Sequence, residues 1–307
     1  MNTKTIIIII VIICVIIPIV LFLLSSTAIF SMNKDNYTLS FAEKYSPTTE
    51  PTNLAKDPTF CNMVTAIKKY YGNTDKNIVD PSSDYYTDTN DVISKATDNI
   101  NNFINSDDYK QMKQDNITPL IMSDMDDTIW SSYGENIAAG FCYNPEYFDK
   151  FSSQKLFAPI FPALQLLKHC AINGIVPVFV TGRAANQSQA DITSIQLQGF
   201  ALKAGSDFWG GEIGWANKNG TDVIGPDGSG IKSIRGIFMH DGKDTRTGAG
   251  STATQYKTDT RTYIEQNGLP GIGNVKFIAS IGDQWSDSNG GHSGIQIKIP
   301  NPMYFIP

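Results

Sequence analysis

No histidine-rich or cysteine-rich segment occurs in this sequence. Its three histidines, His169, His240 and His292, and its four cysteines are scattered through 307 residues, and none stands at the spacing of a zinc site. Cys14 falls in an apolar run, leaving Cys61, Cys142 and Cys170, too few for a disulfide framework. A Cys61–Cys142 bridge is the pairing left open. Cys170, in the helical pattern Leu166-Leu167-Lys168-His169-Cys170-Ala171-Ile172, reads as core, and His169 beside it as structural. An excess of basic charge is also missing: 24 Lys and Arg stand against 30 Asp and Glu, a formal net charge of −6. That excludes the basic face which draws nucleic acid or anionic lipid, so no nucleic-acid partner is expected. The pentapeptide Gly-x-Ser-x-Gly is absent, which removes one large class of serine hydrolases. No internal repeat is evident.

What is present begins with an apolar run over residues 6–24 that carries no charge and is preceded by Lys4. Its length is that of a bilayer-spanning helix, and the positive charge before it places the short N-terminal side in the cytosol and the rest of the chain across the membrane. Ser26 and Ala28 form a small-residue pair that a signal peptidase accepts. Residues 1–30 are therefore a transmembrane anchor or a signal peptide. The expected location is a single-pass membrane protein with its C-terminal domain outside the cytosol, or a secreted one if cleavage occurs after Ala28. Sequons at Asn36, Asn116, Asn186 and Asn219 are candidate glycosylation sites on such a route.

Residues 31–57, polar and with Pro47 and Pro51, read as a linker. A large domain spans 58–307, long enough for a full core at 41% hydrophobic content. Residues 59–75 and 90–114 have helical spacing and form an N-terminal helical extension over 58–115. Thr118-Pro119-Leu120-Ile121-Met122-Ser123 is a buried strand. A helix is predicted over 157–172, a strand over 175–180, a helix over 186–198, a strand within 234–239, a helix over 256–266 and a strand over 275–281. Strands alternating with helices give an α/β fold, a parallel sheet flanked by helices. Two stretches depart from this rhythm: 131–154, a small cap or flap, and the Gly-rich insertion 204–254. Ligand sites in such sheets lie at the carboxyl ends of the strands. There the sequence carries Asp124-Met125-Asp126, Thr181-Gly182-Arg183 and Gly282-Asp283.

Asp124 and Asp126 are two apart, a spacing that lets two carboxylates share one small volume at a strand end. Their repulsion is relieved by a divalent cation, and an oxygen-only site suits Mg²⁺ better than zinc. Asp124 can then attack phosphorus and form an aspartyl phosphate, while Asp126 serves as acid to the leaving alcohol and base to water. The plain structural alternative is that this Asp-rich segment, with Thr128, merely caps the next helix or turn. Thr181 and Gly182 offer a hydroxyl, an N–H and close approach to a phosphoryl oxygen, and Lys257 offers a balancing ammonium. Asp283 would bind the cation, and Asp287, four residues on, would orient its ligands without touching it.

These segments together resemble the haloacid dehalogenase superfamily. The longer strings Tyr256-Lys257 with Arg261, Ile281-Gly282-Asp283-Gln284-Trp285-Ser286-Asp287 and Lys298-Ile299-Pro300-Asn301-Pro302-Met303-Tyr304 are similar to its subfamily IIIB acid phosphatase branch, which includes bacterial class B phosphatases and plant vegetative storage proteins. The similarity covers about 115–307. It implies a Rossmann-like core, Asp124 as nucleophile, Asp126 as acid and base, and phosphate contacts from Thr181 and Lys257. It further implies Mg²⁺ held by Asp124, the Asp126 carbonyl and Asp283. The expected activity is hydrolysis of small phosphomonoesters. Transfer to an alcohol, or a non-catalytic storage or surface protein on the same fold, are the alternatives, and oligomerisation is left open. The flap aromatics Tyr133, Phe141, Tyr143, Tyr147 and Phe148 either stack on a leaving group or pack on the core.

Overall fold

The computed structural model describes residues 58–72, 79–142, 144–154, 156–201, 222–240 and 252–304. The apolar run 6–24, the linker 31–57, Asn36, Asn219, Tyr143 and most of the Gly-rich stretch 204–254 lie outside the described residues. Among the described residues no helix is long and apolar enough to cross a membrane.

The N-terminal extension is three helices, α1 (Pro58–Tyr70), α2 (Asp84–Ile104) and α3 (Asp107–Gln114). The sequence joined the last two into one element over 90–114. They separate because Ser106 leaves the helical region and its hydroxyl accepts from the Tyr109 N–H, the local competition that makes serine a helix starter. On α2, Tyr85, Thr89, Ile93, Ala96 and Ile100 are buried at spacings of three and four, one stripe facing inward. Full burial of a side chain such as Ile100 contributes about 1.5–3 kcal/mol.

The sheet comes next. β1 (Thr118–Ser123) runs into a short β2 (Trp130–Ser131), the flap helices α4 (Tyr133–Ala138) and α5 (Pro145–Ser153), β3 (Ala158–Pro159) and α6 (Phe161–Ile172). Then come β4 (Val176–Ala184), α7 (Gln187–Ala201), β5 (Ile231–Ile234), β6 (Ile237–His240), α8 (Ala253–Asn267), β7 (Val275–Gly282) and β8 (Ile295–Lys298). β2 and β3 pair antiparallel at the base of the flap, so the helix predicted from 157 starts four residues later. The main sheet has six strands in the order β5-β6-β4-β1-β7-β8. All neighbours are parallel except β5 and β6, so the expected parallel sheet flanked by helices carries one antiparallel edge strand. The strand predicted within 234–239 is in fact a hairpin, turned by Arg235 and Gly236, both at positive φ. Two successive left-handed residues are what a tight type I′ turn demands.

β1 is buried along Leu120, Ile121 and Met122, as an apolar run between two parallel neighbours should be. From β1 the chain crosses through α6 to β4 on one side, and later returns through α8 to β7 on the other. Right-handed crossovers in opposite directions place α6 and α8 on opposite faces. Tyr256 and Ile264 of α8 accordingly share a core cluster with Leu120, Met122, Val178, Val180 and Phe238. The other face is covered by α6, with α2 packed on α6 and β8. His169 of α6 meets Asn101 of α2 at 2.8 Å, the structural role its sequence context indicated. Cys170 is buried, and Cys61 and Cys142 are exposed free thiols, so no bridge joins them. Tyr71, just past α1, stacks between Tyr85 of α2 and Tyr133 of the flap at 4.4 and 4.3 Å, tying the extension to the flap. The strand order reverses at β1, which opens a crevice at its carboxyl end.

Candidate active site

Register builds this crevice. Ser123, the last residue of β1, pairs with Phe179 of β4 and with Ile281 of β7. The next step brings Asp124 level with Val180 and Gly282, so Thr181 and Asp283 each stand one residue further along the same edge. The Asp124 N–H donates to the Ile281 carbonyl at 3.0 Å. From the side, α8 delivers Lys257, whose Nζ donates to Asp124 Oδ1 at 2.7 Å and to Asp287 Oδ1 at 2.5 Å. The helix is capped by Thr252, whose hydroxyl accepts from the Gln255 N–H.

Asp283 directly follows β7, and a 3₁₀ turn over Trp285–Asp287 folds Asp287 back toward it. Gly282 makes that return possible: a side-chain carbon there would stand 1.9 Å from Asp287 Oδ2. Asp287 Oδ2 accepts from the Gln284 N–H at 2.8 Å. Asp283 Oδ2 accepts from Gln284 Nε2 and Asn301 Nδ2, both at 2.7 Å. Carboxylate oxygens of Asp124, Asp283 and Asp287 all lie within 4.8 Å of one another. Burial, with the neighbouring Asp287 and Asp283 charges, pushes the Asp124 carboxyl well up, while Lys257 opposes. Asp283 rises to about 7 through burial and the charges of Asp287 and Asp127. Burial would depress Lys257, but Asp124 and Asp287 hold it firmly protonated. With all three carboxylates ionised, one ammonium would leave net negative charge, the repulsion that helps to raise Asp124 and Asp283. An oxygen-only pocket of this kind fits a hard divalent cation rather than a thiophilic one.

Asp126 is turned elsewhere. Its Oδ1 accepts from Arg183 Nη2 at 2.6 Å and Trp130 Nε1 at 2.7 Å, and its Oδ2 from Arg183 Nε at 2.8 Å. Against the upward push of burial, this two-pronged pairing holds the Asp126 carboxyl below its ordinary range. The guanidinium lies 4.8 Å from the Phe148 ring and 5.1 Å from Trp130. Thr181 is buried and its hydroxyl accepts from the Arg183 N–H at 3.2 Å. Gly182 is exposed, and a side chain there would meet nothing within 4 Å, so the strand end has open space before it. Asp124, Lys257, Asp283 and Asp287 thus form one cluster, with Asp287 a member of it beside Asp283, and Thr181 sits on the same edge. Of the flap aromatics, Tyr133 is buried in the tyrosine stack, and Phe148 packs on Phe157 and Arg183.

Sequence reasoning gave no role to Arg183, Asp127, Asn301 or Tyr304, although all four belong to the strings that carried the resemblance. Asp127 is buried with φ +54. It holds the turn by accepting from the Ser132 N–H, the Ser132 hydroxyl and the Tyr304 hydroxyl.

The family model of the HAD superfamily, subfamily IIIB (acid phosphatase), matches residues 59–209 and 234–307, well over half of the chain. The chain belongs to this family. As a subfamily IIIB member it includes the helical extension from α1 onward, which the motif strings alone did not cover, and the unmatched 210–233 falls inside its Gly-rich stretch. Among curated relatives, a stem 28 kDa glycoprotein of Glycine max is 39% identical over 66 residues, 21% of this chain and 24% of the relative. Acid phosphatase 1 of Solanum lycopersicum is 41% identical over 58 residues, 19% of this chain and 20% of the relative. The alignments therefore span about a quarter and a fifth of those proteins. The class C acid phosphatase of Bacillus anthracis is a similar solved structure, at 14% identity and a TM-score of 0.49 over 80% of this chain and 86% of its own.

Proposed function

We propose that the protein is a Mg²⁺-dependent phosphomonoesterase that works through an aspartyl phosphate on Asp124. The observation that carries this is the buried meeting of Asp124, Asp283, Asp287 and Lys257 at one strand edge, within a family of acid phosphatases. Asp124, Asp283 and Asp287 would hold the cation, which when bound neutralises the cluster and draws electron density from phosphoryl oxygens. An Asp124 oxygen attacks phosphorus as the bond to the alcohol oxygen breaks. Asp126 supplies the proton to the departing alcohol, and then takes one from the water that cleaves the acyl phosphate. Lys257 and the Thr181 hydroxyl face the charge that develops on the phosphoryl group. Arg183 keeps Asp126 ionised, which suits the second step. Protonation for the first step then favours acid solution. The meeting of Asp124, Asp283, Asp287 and Lys257 in one buried cluster disfavours a purely storage role.

Replacing Asp124 by Asn tests the assignment. It should abolish turnover of an aryl phosphate in the presence of Mg²⁺, a loss of at least ~10⁴-fold. Residual turnover near wild-type level would remove Asp124 from the role. We propose further that the domain works outside the cytosol, held by or released from the apolar run 6–24. Membrane fractionation with mass determination of the mature N-terminus separates anchor from signal peptide, and a cytosolic protein with residues 6–24 intact would refute export.

A further inference from the structure

We propose that Arg261 is a positioning residue for the cation-binding carboxylates, bolting the turn that carries Asp283 and Asp287 onto the helix that carries Lys257. This inference rests on the proposed cation site. Lys257 and Arg261 are four residues apart on α8 and so share one of its faces. Lys257 reaches carboxylates, but Arg261 does something different. It is completely buried and spends its strongest donors on backbone: Nη1 to the Asp287 carbonyl at 2.6 Å, Nη2 to the Asn289 carbonyl at 2.6 Å, and Nε to the Gly291 carbonyl at 3.1 Å. Three carbonyls of one irregular turn are thereby fixed to a single planar group, whose fork of donors no lysine can reproduce.

The rest of the seam has the same purpose. Thr258 Oγ1 donates to the Asn289 carbonyl at 3.0 Å. Gly290 stands against Thr258 at φ +88, where a side-chain carbon would come within 2.1 Å of the hydroxyl oxygen. Helix and turn touch along this line with no room for a side chain between them. A packing role alone would be met by an aliphatic residue. A buried guanidinium without a hydrogen-bonded carboxylate is costly, and what it adds is direction, because the carbonyls at 287, 289 and 291 are held in fixed relation to Lys257. Asp283 and Asp287 flank the start of this turn. If the turn drifts, their oxygens leave the ligand sphere that they share with Asp124.

The test uses the full-length protein with Arg261→Met, Arg261→Lys and Gly290→Ala. Mg²⁺ affinity is measured by titration calorimetry, folding by circular dichroism in chelator, and kcat and KM for an aryl phosphate at saturating Mg²⁺. The expected result is a loss of Mg²⁺ affinity of about 10–100-fold in Arg261→Met, the range typical of groups that orient metal ligands. Arg261→Lys should recover part of it, and KM for the phosphate should change little. A folded Arg261→Met that binds Mg²⁺ as tightly as wild type overturns the proposal. If Arg261→Met does not fold, Gly290→Ala decides in the same way, since it pushes the turn off α8 without touching a charge. Binding that is lost in Asp283→Asn but unchanged in these variants sinks the positioning role alone. Absence of Mg²⁺ binding in the wild type sinks the cation reading and this inference with it.

Discussion

Asp126 accepts three hydrogen bonds, two of them from one guanidinium, and the pair is largely buried. Removing one partner strands the other charge away from water. Arg183→Met should therefore lower the unfolding free energy by ~3–5 kcal/mol, and adding Asp126→Asn should recover part of that loss, because the orphaned charge goes too. Urea denaturation of the single and double variants checks this, and additive losses would contradict it. Glu135, on the flap helix α4, shows the reverse situation: it is buried, and its Oε1 has no partner. Burial first, then the charges of Asp127 and Asp126, push its carboxyl from 4.5 up to about 7. A carboxyl whose folded pKa is raised binds its proton more tightly in the folded state. The stability it contributes is thus full below the unfolded value and is lost as pH climbs toward the folded one. Glu135→Gln removes that dependence, so its stability relative to wild type should grow by about 2–3 kcal/mol from pH ~4.5 to pH ~8. Parallel stability curves would contradict this. Neither residue's role could be read along the chain. Arg183 stood in the sequence only as the end of Thr181-Gly182-Arg183, and Glu135 lay unremarked in the flap, because the one role depends on Asp126, 57 positions away, and the other on burial.

Among elements, α8 has the most to hold. It presents Lys257 to two carboxylates and covers one face of the sheet, and its first turn depends on the Thr252 cap. Thr252→Ala should cost ~1 kcal/mol through the lost capping bond, read as a lower thermal midpoint with KM for an aryl phosphate unchanged. The helix was plain in the sequence from its spacing, as was β1 from its unbroken apolar run. The β5–β6 hairpin was not. Its apolar residues run on through Arg235 and Gly236, and only the left-handed turn divides them. The junction of α2 and α3 was missed for a related reason: two helices whose buried stripes nearly continue look like one until a capping serine is given its due.

For the whole molecule, the proposed cation site among the three clustered carboxylates predicts a stability that depends on the cation. On the proposed reading Mg²⁺ binds the folded cluster and not the unfolded chain, so saturating it at about 100 times its dissociation constant should stabilise the protein by ~2.7 kcal/mol. Thermal unfolding with Mg²⁺ and with chelator measures this, and Asp283→Asn should abolish the difference. Equal midpoints in the wild type would argue against a cation there. The sequence alone determined the alternating α/β order, the strand ends that carry Asp124, Thr181 and Asp283, and the family those strings belong to. Each of these is a local matter, set by periodicity and by residues adjacent in the chain. Tertiary structure decided that Asp287 joins Asp124 and Asp283 in one cluster, that Asp126 pairs with Arg183, and that Arg261 binds the carbonyls of the turn after Asp287. The Arg261–Asp287, Asp126–Arg183 and Asp124–Lys257 contacts join residues 26, 57 and 133 positions apart. They are set by strand register and by the faces on which crossing helices land, which no single stretch of sequence encodes.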